Sequence, residues 1–244
     1  RVDLFSTVDQ LDGAERALAS MLRCLRDSLS SPPERPRYQS ATESGGSGRL
    51  HAVVGVDAEW VAGRPIALLQ LAICGHCVLL RTHTLGAGAA AGRWPPPSLL
   101  ALLCDRRILK LGVGIHHDLR MLQEHHGISA QGVVELQVLA ALEGFGGAGL
   151  QRLTGDVLGR ALDKRPTLRC SDWEAPTLSD EQVGYAAKDA HVSVDLFGRL
   201  YECHEASAAM DRLLASGSRE SSDGDGRGGD AAPHSWLAPL IDAE

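Results

Sequence analysis

No stretch of this chain is apolar for long enough to cross a bilayer as a helix, which excludes a membrane-spanning helix. A second close cysteine pair is also missing. Six cysteines are present (Cys24, Cys74, Cys77, Cys104, Cys170 and Cys203), and only Cys74-Gly75-His76-Cys77 brings two together. Without further ligands at suitable spacing a structural zinc site is unsupported, and Gly75-His76 reads instead as a turn between two strands. The remaining cysteines read as ordinary buried thiols of a reducing compartment. No H-E-x-x-H run and no internal repeat occurs. An excess of positive charge is lacking too: 24 Lys and Arg stand against 31 Asp and Glu, a formal net charge of −7, which by itself argues against a nucleic-acid partner. The first residue is Arg1 rather than Met, as expected of a fragment or processed product, so a missing targeting signal excludes no compartment.

What is present suits one globular core with appendages: 244 residues, 44% hydrophobic and 23% charged. Residues 1–28 read as a short strand and then a helix, with Thr7 as N-cap and Leu11, Ala14, Leu18, Leu22 and Leu25 on one face. Residues 29–50 are rich in Ser, Pro and Gly and read as a linker. From His51 three strand-like runs follow, "HAVVGVDAEWV", "PIALLQLAI" and "CVLLRTH", with turns short enough for an antiparallel meander. "PPSLLALLCD" reads as a helix with Pro97 near its start. "RILKLGVGI" reads as a strand, "HDLRMLQEHH" as a helix, and "GVVELQVLA" as a strand or a strand running into a helix. "AGLQRLTGDVLG" should end as a helix at Gly159, and a long helix should start at the Ser179–Gln182 capping box. Strands first, then alternating helix and strand, predict an α/β fold: a mixed sheet flanked by helices, its core spanning 51–205. Residues 206–244 read as a low-complexity, disordered tail, within which "SWLAPLI" suits a docking segment or, as is commoner for such a stretch, a loose tail.

The chemistry lies in carboxylates placed where a core strand should have none. Asp57 and Glu59 alternate with Val56, Ala58 and Trp60, so both point to one face of the strand, with Gly55 leaving room on that face. Buried unpaired carboxylates are costly, so they need a metal, a partner or solvent. Alone, the pair fits a metal site or a solvated edge equally well. Asp118 stands where a strand passes through glycines into a helix, a common ligand position that also suits a helix cap. Tyr185 and Asp189 share a helix face; alone they fit an amphipathic helix in which Asp189 pairs with Lys188 or a nearby Arg. Ala186 and Ala187 keep that helix slim enough to pack closely on a sheet.

Taken together and in this order, D-x-E, Asp118 and Tyr185-x-x-x-Asp189 resemble the DEDD 3′–5′ exonucleases of the ribonuclease H-like (DnaQ-like) fold. The tyrosine marks the DEDDy branch, the ribonuclease D and Werner exonuclease group; the histidine branch would carry His where this chain has Gly184. Glu135 stands where relatives carry Asp. The resemblance implies hydrolysis of phosphodiester bonds at the 3′ end of single-stranded DNA or RNA; the expected location is intracellular, the nucleus or the mitochondrion ahead of another organelle. It implies two divalent cations, Mg²⁺ or Mn²⁺, on Asp57, Glu59, Asp118 and Asp189, with Tyr185 orienting the attacking water. Hard cations take oxygen ligands, and two of them activate the water and stabilise the leaving oxygen.

The resemblance also recasts the charge. Between His51 and Glu205, 14 Lys and Arg oppose 17 Asp and Glu, and four of the 17 are the proposed ligands, so cations bring this region close to neutral. Lys110, Arg152, Arg160, Lys164, Arg165 and Arg169 are candidate phosphate contacts, with Lys164 and Arg169 the strongest because they stand in the loop leading to "SDWE". Trp60 and Trp173 suit either base stacking or core packing. Two alternatives stand beside this reading. His117-Asp118 resembles the HD phosphohydrolases, but their helical fold leaves D-x-E on a strand unexplained. A catalytically inactive nucleic-acid-binding or adaptor module on the same fold would share every structural feature, and metal dependence separates it from the enzyme.

Overall fold

The computed structural model describes residues 1–30, 52–88, 93–147, 149–217 and 240–241. Nearly all of the 29–50 linker and most of the final tail lie outside these residues. The elements run β1 (Val2–Phe5), α1 (Leu11–Ser30), β2 (Ala52–Trp60), β3 (Ile66–Ile73), β4 (His76–Leu80), α2 (Thr82–Gly88), α3 (Pro97–Cys104), β5 (Ile108–Gly112), α4 (Ile115–His126), β6 (Val133–Glu135), α5 (Leu136–Leu142), α6 (Leu150–Leu158), α7 (Pro166–Arg169) and α8 (Asp180–Gly217).

The six strands of the described residues form one sheet in the order β1-β4-β3-β2-β5-β6. The β2-β3-β4 meander is antiparallel, while β1 joins β4, β5 joins β2 and β6 joins β5 in parallel. This is the mixed sheet that the patterning predicts. The strand β2 lies between β3 and β5 and is covered on both faces, so D-x-E stands on an interior strand rather than at an edge.

Alternation along β2 divides the core. Ala52, Val54, Val56 and Ala58 pack with the apolar stripe of α1 (Leu11, Ala14, Leu18, Met21, Leu22, Leu25) and with α3 and α4. The opposite face of the sheet packs on α8 through Tyr185, Ala186, Ala187, Ala190 and Val194. Asp57 and Glu59 belong to that α8 face. At Gly55 the approach is so close that a Cβ would lie 2.0 Å from the Ala190 carbonyl oxygen. Gly55→Ala should therefore force β2 and α8 apart and cost about 3 kcal/mol, read as a lower denaturation midpoint at unchanged m-value.

Several boundaries differ from the sequence reading. "RTH" ends no strand: Thr82 opens α2, where its hydroxyl bonds the Ile66 carbonyl. Glu135 ends β6 and α5 follows at once, so that segment is a strand running into a helix. The short helix α7 breaks the loop before Trp173, and the cysteines expected to be buried are not: Cys24, Cys104 and Cys170 are exposed and Cys203 is half-buried. The box at the start of α8 forms as expected, with Gln182 N–H donating to Ser179 Oγ at 3.2 Å and Ser179 N–H to Gln182 Oε1 at 2.9 Å. That helix continues to Gly217, past Glu205. Leu240 and Ile241, the last two residues of "SWLAPLI", are not loose: they pack on the core, and Ile241 bridges Val134 of the edge strand β6. Lys110 is fully buried and donates to the Asp105 and Ile108 carbonyls, so it is no phosphate contact.

Candidate active site

Every proposed ligand sits at one end of the sheet, each brought there for a local reason. β2 delivers Asp57 and Glu59 through strand alternation. β5 ends at Gly112, where a Cβ would lie 2.9 Å from both the Val56 oxygen and the Ile115 Cβ; the chain then turns at Gly114 (φ +73°) into α4. Asp118 thus lies in the first turn of α4, at the carboxyl end of the parallel strands. It is not the helix cap. That task falls to Glu135, whose carboxylate accepts from the backbone N–H of Gly114 (3.0 Å), Ile115 (3.1 Å) and Gln137 (3.2 Å). One side chain therefore fastens the starts of α4 and α5 together. Glu135→Ala should cost about 1–3 kcal/mol by leaving those donors unpaired. It should also lower cleavage because α4 carries Asp118, whereas Glu135→Gln, which keeps an acceptor oxygen, should lose less in both assays.

Asp57, Glu59 and Asp189 each offer a carboxylate oxygen within 4.8 Å of the others. Asp118 stands outside that group but within reach of its field. Burial first, then the Asp189 charge, pushes Asp57 up to about 7. Burial and then Asp57 push Glu59 up to about 9. Burial and then Asp57 push Asp118 up to about 9 as well. Asp189, only 1% exposed, is also raised by burial. Lys164 partly offsets this crowding: its Nζ lies 2.5 Å from Asp189 Oδ2 and 5.0 Å above the Tyr185 ring. Burial pushes the Tyr185 phenol well above its ordinary range, so it keeps its proton. Tyr185 Oη sits beside Asp189, yet neither that hydroxyl nor Asp189 Oδ1 makes a hydrogen bond of normal geometry. A set of oxygen donors with unspent bonding capacity, crowded beyond what Lys164 neutralises, fits hard divalent cations.

The other expected site residues scatter. Arg169 is exposed at the end of α7, and its backbone carbonyl, rather than its side chain, makes a contact, accepting from Trp173 Nε1 at 3.3 Å. Trp173 is fully buried against Tyr185, with ring centroids 6.1 Å apart, so it is a packing residue. Trp60 is half-buried on the α4 side of the sheet, 5.3 Å from the His117 ring. Arg152, Arg160 and Arg165 are paired with Asp156, Asp195 and Asp163. Lys164 faces the carboxylates themselves.

Sequence reasoning missed three supporting residues. Arg81, 2% exposed, donates to the Ala175 and Pro176 carbonyls and so ties down the loop that presses Trp173 onto Tyr185. Glu135 was legible only as a family position. Gln70 was visible as the lone polar residue in "IALLQLAI", a signal open to reading.

The mixed sheet with acidic residues gathered around its central strand defines the ribonuclease H-like class, and a solved structure of Escherichia coli RNase D, described as an exoribonuclease involved in structured RNA processing, shares the fold. The match has a TM-score of 0.60 at 24% identity and covers 92% of this chain and 52% of that one. A family model described as 3′-5′ exonuclease matches residues 40–203, and the chain belongs to that family. Among curated proteins it is similar to exonuclease 3′-5′ domain-containing protein 2 of Homo sapiens, 42% identical over 154 residues, and of Mus musculus, 41% identical over 154 residues. These alignments cover 59% of this chain and only 24% and 23% of the two relatives, so the chain spans about a quarter of their length. Among the described residues no helix is long and apolar enough to cross a membrane.

Proposed function

We propose that this chain is a metal-dependent 3′–5′ exonuclease that hydrolyses phosphodiester bonds at the 3′ end of single-stranded DNA or RNA. The observation that carries the reading is the carboxylate group of half-buried Asp57 and buried Glu59 and Asp189, gathered between β2 and α8 with Asp118 at its margin, in a chain of the 3′-5′ exonuclease family. Asp57, Glu59, Asp118 and Asp189 would hold two divalent cations, Mg²⁺ or Mn²⁺. When bound, the cations supply a water of lowered pKa and charge stabilisation for the leaving 3′ oxygen. Tyr185, protonated throughout, orients the water through its hydroxyl rather than acting as a base. Lys164 pairs with Asp189 here, and its ammonium would be available to a substrate phosphate where a cation took its place on that carboxylate. The reading places the protein in a compartment that holds nucleic acid, the nucleus or the mitochondrion first.

The test is a single-stranded oligonucleotide labelled at its 5′ end, in DNA and RNA forms, with Mg²⁺ or Mn²⁺. A ladder shortening from the 3′ end, absent in EDTA and with Asp57→Asn, is the expected result. Folded protein that yields no product with either metal or either substrate would overturn the enzyme in favour of the inactive binding module.

A further inference from the structure

Gln70 is the one polar side chain of β3, and it is fully buried. Strand alternation places it with Leu68 and Ala72 on the face packed against α8. In the β2–β3 register it lies directly opposite Asp57. Side chains so paired have Cβ atoms about 5 Å apart, within reach of an amide. Its bonding is poor: Oε1 has no partner, and Nε2 approaches only the Leu68 carbonyl at 3.5 Å, the outer limit for a hydrogen bond. A buried amide in that state destabilises the fold, and an apolar residue of the same length would fill the same space without that cost. Its neighbours Ala67, Leu68, Leu69, Leu71 and Ala72 are all buried and apolar, so packing alone gives no reason for the amide. Six buried side-chain atoms among the described residues lack a partner: three belong to Arg81, His116 and His126, and the other three, Gln70 Oε1, Tyr185 Oη and Asp189 Oδ1, lie on the α8 face of the sheet with the carboxylates, and an unpaired buried group calls for an explanation.

We propose that Gln70 is a positioning residue: its amide N–H fixes the Asp57 carboxylate from across the strand pair, so that the carboxylate presents its free oxygen to a cation. The inference rests on the cation-binding reading of the site and extends it to a residue beyond the carboxylates. Residues that hold a metal ligand in place typically change affinity 10–100-fold when lost.

The experiment compares wild type, Gln70→Met and Gln70→Asn by Mn²⁺ titration followed by electron paramagnetic resonance, with thermal melts of the metal-free chains. Gln70→Met matches the length and removes the amide. It should bind Mn²⁺ at least about tenfold more weakly, while its metal-free Tm is unchanged or rises by about 2–4 °C. Gln70→Asn keeps the amide but withdraws it by one methylene, and should weaken Mn²⁺ binding in the same direction; it decides the matter if Gln70→Met does not fold. On the oligonucleotide, kcat should fall with little change in KM. Variants that bind Mn²⁺ as tightly as wild type overturn the role of Gln70 alone. A wild-type chain with no affinity for Mn²⁺ overturns the cation site, and the inference with it.

Discussion

Asp57→Asn is expected to abolish cleavage, by on the order of 10⁴-fold, while making the metal-free chain more stable. The two effects have one cause. After burial, the Asp57 charge is the largest influence raising both Glu59 and Asp118. Asparagine keeps the shape and removes that charge, so the repulsion relaxes and the proposed cation site loses one of its ligands together. A gain of about 1–2 kcal/mol would appear as a Tm higher by a few degrees in EDTA at pH 8. A lower Tm would show that Asp57 is a structural partner and would count against the site. Stability gained where activity is lost is the expected signature of a cluster retained for function.

The second expectation concerns pH. Carboxyls whose folded pKa is raised remain protonated in the native chain while the unfolded chain has already lost those protons. The unfolded state then binds fewer protons, and stability falls as pH rises. For this cluster the decline starts above the ordinary values of 3.8 and 4.5 and involves Asp57 up to about 7 and Glu59 and Asp118 up to about 9. Groups with the opposite sign act elsewhere. Asp105, held at about 2 by Arg107, adds stability that is lost only as pH falls below the ordinary carboxylate range. His126, lowered by burial, opposes the trend only below about 6.5. Between pH 7 and 9 Glu59 and Asp118 dominate among these groups, each contributing at most about 1.4 kcal/mol per pH unit. Melts in EDTA should therefore show Tm falling by about 5 °C or more over that interval. Saturating Mg²⁺ should abolish the fall, because cations hold the ligands ionised and bind only the folded chain. A flat profile in EDTA, or no Mg²⁺ effect at pH 8, would contradict the electrostatics of the site.

These two expectations and the Glu135 effects separate what each level of structure contributes. Asp57 and Glu59 could be placed on one strand face from alternation alone, and Tyr185 and Asp189 on one helix face from their spacing of four. The meander, the alternating helices and strands, the α1 stripe and the Ser179–Gln182 box were legible for the same reason: each is written in a local period or a fixed offset. Helix α2 was not, because no glycine or proline separates Arg81, Thr82 and His83 from the apolar run that ends at Leu80, and α2 starts where the Thr82 hydroxyl finds the Ile66 carbonyl. Charge was the least readable property. Asp189 appeared to have Lys188 or an Arg as partner, whereas its partner is Lys164, 25 residues away and brought over α8 by the loop before α7. Arg169, equally promising in sequence, points to solvent.

The sequence by itself therefore determined the class of sheet, the faces of its elements and the residue types on them, since those depend on backbone periodicity. Only the tertiary structure decided which carboxylates meet, that Glu135 rather than Asp118 caps α4, and that Gln70 lies opposite Asp57. Those outcomes depend on strand register, on the contact between Gly55 and Ala190, and on burial, which turns acidic residues far apart in the chain into one mutually repelling group.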